Sequence, residues 1–144
     1  MNRLRKKLDY LLSIKEKALV AYLVAGDPDL DSTLDLMHLF VESGVDIIEV
    51  GVPFTDPIAE GPVIQKAHDR ALKNNISLPK IIKLVEDFRK NDNSTPIILM
   101  GYLNTFSYHK NLIDNSDQHG VDAVLVVDIP GELSISSYGI SNPN

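Results

Sequence analysis

The chain has 144 residues, 44% of them hydrophobic and 24% charged, with a formal net charge of −6. That size and balance suit one domain with a modest core. The acidic charge argues against nucleic acid as a partner, the lack of cysteine excludes disulfides and thiolate metal sites, and no apolar run is long enough to span a bilayer.

The N-terminus is polar and lacks a signal-peptide core, so the cytoplasm is the expected location. Residues 2–16 read as an amphipathic helix, with Leu4, Leu8, Leu11 and Leu12 on one face. Arg3, Arg5, Lys6 and Lys7 read as its solvated face. The apolar run 18–25 reads as a buried strand ended by Gly26-Asp27-Pro28. Asp27 or Asp29 then caps a helix, with Pro28 expected in its first turn. Leu30, Leu34, Met37 and Val41 mark that helix's stripe, and Gly44 stops it.

Asp46 to Gly51 reads as a second strand, followed by a loop rich in Gly and Pro that carries Asp56 and Glu60. Residues 63–72 and 78–90 read as helices, the second capped by Ser77 with Pro79 in its first turn. Residues 95–102 make a third strand and 121–128 a fourth, closed by Pro130. Between them, 105–119 carries only a thin apolar stripe and is weakly helical. From Ser134 to Asn144 the chain is rich in Ser, Asn, Gly and Pro and reads as irregular.

Strands that are nearly continuous apolar runs, alternating with helices, predict a parallel sheet covered by helices. Polar candidates gather at the C-terminal ends of the strands: Asp27, Glu49, Asp56, Tyr102, Asn104 and Asp128, with Glu60 in the loop. That end carries the active site in such folds. Glu49 stands out, because a carboxylate in an apolar strand is costly unless it is paired, protonated or used. Read alone, it could also be a strand-end acid reaching solvent. His38, His68, His109 and His119 fall on polar or helical surfaces at no ligand spacing, so no metal site is expected.

The string from Ile48-Glu49-Val50-Gly51-Val52-Pro53-Phe54-Thr55-Asp56-Pro57 through Glu60-Gly61-Pro62-Val63-Ile64-Gln65 closely resembles the α subunit of tryptophan synthase. Gly26-Asp27-Pro28, Tyr102, Asn104 and the segment from Gly120 to Pro130 fit the same family. The resemblance covers residues 1 to about 130 and fades over 131–144. It implies a (β/α)₈ TIM barrel, a fold of about 250 residues, of which only about the first four βα units are present. It implies retro-aldol cleavage of indole-3-glycerol phosphate to indole and glyceraldehyde 3-phosphate, a lyase step in tryptophan biosynthesis. By position, Glu49 resembles the acid/base and Glu60 the second carboxylate, where the family usually has Asp. Tyr22 and Tyr102 fall at pocket positions, although Tyr102 also reads as a packing residue. Pro53, Asp56 and Asn104 fall where the family meets its β subunit in an α2β2 complex; Asp56-Pro57 also suits a plain turn.

The resemblance implies no cofactor in this chain, since pyridoxal phosphate belongs to the β subunit. Nothing corresponds to the second half of the barrel or its phosphate-holding loops. The chain alone is therefore expected to be inactive and prone to associate. The alternative is a non-catalytic fragment that docks on the β subunit. A different phosphate-sugar barrel enzyme would require the long string to be coincidence.

Overall fold

The structure is a computed structural model that describes residues 2–130 and 133–138. Four strands, β1 (Val20–Val24), β2 (Ile47–Gly51), β3 (Ile97–Gly101) and β4 (Ala123–Val126), pair in parallel in the order β1-β2-β3-β4. Helices α1 (Arg3–Ser13), α2 (Leu30–Glu42), α3 (Pro62–Lys73), α4 (Leu78–Arg89), α5 (Leu103–Tyr108) and α6 (Lys110–Asp114) precede and connect them. Short 3₁₀ turns cover Ser116–His119 and Ile135–Tyr138. Most of the tail expected to be irregular, including 139–144, lies outside the described residues. Among the described residues no helix is long and apolar enough to cross a membrane.

Side chains alternate across a strand, so residues in register share a face. Ile48, Val50, Ile97 and Leu99 point one way and are fully buried. They form one core with Met37 of α2 and Ile81, Val85 and Phe88 of α4. The opposite face carries Tyr22, Glu49, Ile98 and Ala123 in a single row. On that face Val20 and Leu125 keep 45% exposure, so the helices cover one side of the sheet and leave much of the other open. Near β1 it is covered by α3, whose Ala67 and Ala71 pack on Val24, and Ile47 and Met100 on the same face are also buried.

Helix α2 begins two residues later than it would with Pro28 at its first position. Asp29 is the N-cap, its Oδ1 accepting from the Ser32 N–H at 2.7 Å, so Pro28 precedes the helix instead of lying in its first turn. Ser77 occupies the N-cap position of α4 without a side-chain capping bond, and Pro79 sits in the first turn. The weakly helical stretch becomes α5, α6 and a 3₁₀ turn. Phe106 and Ile113 are fully buried there, and they hold a polar segment that propensity alone would not.

The basic face of α1 is not simply solvated. Arg3 pairs with Asp122 and donates to the Asn93 carbonyl, and Lys7 lies 3.4 Å from Asp46. The leucine stripe also packs less than its spacing predicts: Leu11 is buried, while Leu12 is 76% exposed. The first turn, more than the stripe, ties α1 to the sheet.

At the N-terminal end of the sheet, Asp122 is 2% exposed and Arg89 8%. Asp122 accepts from Arg89 Nη2 and the Ile97 N–H, both at 3.0 Å, and from Arg3 at 3.1 and 3.2 Å. Arg89 also donates to the carbonyls of Gly120 and Thr95 at 2.7 Å. Gly120 has φ +95, and a Cβ there would meet the Arg89 side chain at 2.7 Å, so glycine is needed twice over. Burial is the main reason the Arg89 pKa is lowered to about 10. This one pair joins α1, α4, β3 and β4. Removing one partner of a buried ion pair strands the other charge. Asp122→Ala is therefore expected to cost about 3–5 kcal/mol of stability in urea unfolding, and a loss below about 1 kcal/mol would assign it the weight of a surface pair.

Candidate active site

Glu49 sits at the middle of β2 on the open face, between Tyr22 of β1 and Ile98 of β3 in register. Burial raises its pKa above the ordinary glutamate value. Tyr22 comes over Gly51, where any Cβ would overlap the tyrosine hydroxyl. The Tyr22 hydroxyl is buried without a hydrogen-bond partner among the described residues. Burial comes first in pushing its pKa up, followed by the charges of Glu60 and Glu49. The two carboxyl groups predicted from sequence therefore act on one phenol.

Glu60 lies in the loop between β2 and α3, yet its side chain is only 6% exposed. Tyr102, just past β3, is 1% exposed and donates its hydroxyl to Glu60 Oε2. The Ala59 N–H donates to that same hydroxyl oxygen at 3.0 Å, and the Phe54 ring stacks on the Tyr102 ring with centroids 4.7 Å apart. Burial, with the bond to Glu60, pushes the Tyr102 pKa up to about 12. Tyr102 is thus a packed residue that also binds Glu60.

His68, expected on a polar or helical surface and outside any metal site, is instead in the interior. His68 is fully buried against the loop, its Nδ1 accepting from the Phe54 N–H at 3.0 Å and its Nε2 3.6 Å from Glu60 Oε1. Burial pushes its pKa down. The spacing Ile64, Ala67, His68, Ala71 is a helical stripe, and Ala67, His68 and Ala71 are all buried. Following that stripe through α3 would have located His68.

The other predicted residues divide. Asp27 does not cap α2; its carboxylate takes two bonds from Arg70, both 2.7 Å, and ties α3 to the turn after β1. Asp56 is exposed and accepts from Thr55 Oγ1 at 2.7 Å, and Asn104 is exposed at the start of α5. Pro53 is buried beneath the loop surface. A depression lined by Phe54, Asn104, Thr105, Ser107, Tyr108 and His109 opens beside Asn104, and neither Glu49 nor Glu60 lines it. Among the described residues no group of three His, Cys, Asp or Glu side chains is placed to hold a metal ion.

Four parallel strands alternating with helices, with Glu49 and Tyr22 on the open face and Glu60 and Tyr102 beyond the C-terminal ends of β2 and β3, have the layout of half of an α/β barrel. A family model for the tryptophan synthase alpha chain matches residues 8–138, running past Pro130, where the motif resemblance fades. The tryptophan synthase alpha chain of Hydrogenovibrio crunogenus is 51% identical over 136 residues, which cover 93% of this chain and 50% of that one. That of Nitrosomonas europaea is 46% identical, over 92% of this chain and 49% of that one. A crystal structure of tryptophan synthase subunit alpha from Legionella pneumophila superposes with a TM-score of 0.90 at 40% identity, over 97% of this chain and 56% of that one. The alpha-chain match within a structure of the tryptophan synthase a2b2 complex from Pyrococcus furiosus has a TM-score of 0.72 at 43% identity, over 78% of this chain and 46% of that one.

The chain belongs to the tryptophan synthase alpha chain family. It spans about half the length of the curated relatives it matches, and its four βα units correspond to half of a (β/α)₈ barrel.

The environment of Glu49 has a measurable consequence for stability. A carboxyl whose folded pKa is raised binds its proton more tightly in the native state than in the unfolded chain. Its contribution is favourable at low pH and is lost as pH rises from about 4.3, the ordinary glutamate value, through the folded value. Glu49→Gln is expected to raise the melting temperature at neutral pH, with the gain vanishing below about pH 4. Parallel melts of the two proteins across that range check it; a gain that persists in acid would assign the effect to packing instead.

Proposed function

We propose that this chain carries the proton-transfer half of an indole-3-glycerol phosphate lyase site. The observation behind this reading is the pairing of Glu49, half-buried on the open face with a raised pKa, with Glu60, held by Tyr102; the charges of both reach the Tyr22 phenol. Retro-aldol cleavage needs a proton delivered to indole C3. It also needs a proton removed from the side-chain hydroxyl, which becomes the aldehyde carbonyl as the carbon–carbon bond breaks. The electron pair of that bond returns to the ring. One carboxyl group with a pKa moved toward neutrality can serve both transfers, and Glu49 is assigned that role. Glu60 is assigned the positive charge that develops at the indole N–H, and Tyr22 and Tyr102 the walls of the pocket. Carboxyl groups supply this chemistry without a metal or cofactor in this chain; pyridoxal phosphate is assigned to the β subunit.

Asp56 and Asn104 are exposed at the same end and suit contact with a tryptophan synthase β subunit in an α2β2 assembly, with Pro53 shaping the loop from beneath. A cytoplasmic setting follows from the same reading. In (β/α)₈ barrels the phosphate is gripped by loops after the last strands, whereas the described sheet has four strands. The 144-residue polypeptide alone is therefore assigned indole recognition without turnover. A second reading, a fragment that only docks on the β subunit, is favoured by the exposed Asp56 and Asn104.

Titrating indole into labelled chain is expected to shift resonances of Tyr22, Glu49, Glu60 and Tyr102 with weak affinity, while an assay with indole-3-glycerol phosphate releases no indole above background. Indole shifts confined to other residues would overturn the site assignment, and turnover at an ordinary enzymatic rate, about 1 per second or more, would overturn the division of labour. Failure to bind β subunit would remove the docking reading.

A further inference from the structure

We propose that His68 is the positioning residue for Glu60, its Nε2–H directed at Oε1 to form one jaw of a clamp that Tyr102 closes from the other side. The tautomer follows from geometry. His68 Nδ1 accepts the Phe54 N–H at 3.0 Å, so it carries no proton, and the single proton of a neutral imidazole sits on Nε2. Nε2 then faces Glu60 Oε1 at 3.6 Å. Both atoms are buried and neither has another hydrogen-bond partner among the described residues. Two orphaned groups of opposite demand, donor and acceptor, face each other across a gap that a small side-chain rotation closes.

The contacts form a circuit that begins and ends on one loop. The Phe54 N–H reaches His68, His68 faces Glu60, Tyr102 donates to the other oxygen of Glu60, and the Ala59 N–H returns to Tyr102. Glu60 is therefore addressed by donors from two separate elements, α3 and the end of β3, and its carboxylate plane is fixed between them. Glutamate is the length this needs. An aspartate would draw the carboxylate back by about 1.5 Å, one carbon–carbon bond, and could not keep both donors. Residues 60 and 68 are thus a matched pair. The charged and titratable groups acting on His68 are Glu60 from the loop and Asp69 from its own helix, with Tyr102 beyond Glu60. The catalytic consequence rests on the role proposed for Glu60, but the clamp itself does not.

Nitrogen-15 spectra of the unmodified chain test the clamp. At neutral pH His68 is expected to show an unprotonated Nδ1 and a slowly exchanging Nε2–H. Glu60→Gln removes the facing charge and is expected to lower the His68 titration midpoint by about one unit. His68→Gln, which keeps a donor near the Nε2 position, is expected to leave the Glu60 side-chain carboxyl resonance in place while moving the Phe54 amide. His68→Asn, which keeps an acceptor near Nδ1, is expected to do the reverse. An Nδ1–H tautomer, a charged imidazole at neutral pH, or a midpoint unmoved in Glu60→Gln would overturn the proposal. The tautomer in the unmodified chain decides even where a variant does not fold. Loss of indole binding alone would count against the functional reading and leave these spectra as expected.

Discussion

The site depends on which face of β2 is left without helices. Parallel pairing places Tyr22, Glu49, Ile98 and Ala123 in one row, and α2 and α4 cover the opposite face. A register slip of one residue would turn Glu49 into the helix-packed core, where Ile48 and Val50 are fully buried. The same slip would expose two large apolar side chains. Packing of the core and placement of the carboxyl group are thus decided together, and neither can change without the other.

The two ends of the sheet are held by different physics. At the N-terminal end, Arg89 and Asp122 make a buried ion pair whose remaining donors and acceptors are taken by backbone and by Arg3. Its partners come from four elements, and it locks geometry at a place with no assigned chemistry. At the C-terminal end, the loop after β2 makes two hydrogen bonds with Tyr102 and one with His68, and three buried polar atoms there, on Tyr22, Glu60 and His68, lack partners among the described residues. Polar groups left unsatisfied at one end and fully satisfied at the other are what a scaffold with a site at one end requires.

Residue 60 shows how the length of one acidic side chain is matched to its surroundings. One methylene more or less moves a carboxylate by about 1.5 Å, enough to spoil a geometry if nothing else changes. The glutamate carboxylate accepts from Tyr102 directly and faces His68 Nε2 across 3.6 Å. Glu60 is therefore understood with its surroundings and not as a lone acid in a loop.

The pattern of apolar runs and breakers was enough to place the four strands and the major helices, because core burial imposes period two or continuous apolarity on strands and period 3.6 on helices. The ordered string around Glu49 was enough to name the family, and Glu49, Glu60, Tyr22 and Tyr102 do come together at one end of the sheet. What the sequence did not disclose are contacts between residues far apart in the chain. Asp27 looked like a cap and became the partner of Arg70, Arg3 looked solvated and became a partner of Asp122, and Pro53 lies buried beneath its loop. His68 looked like a surface histidine and lies sealed against Glu60. Local pattern records which face of an element is apolar; the polar group that another element brings to that face is settled only when the sheet and helices are assembled.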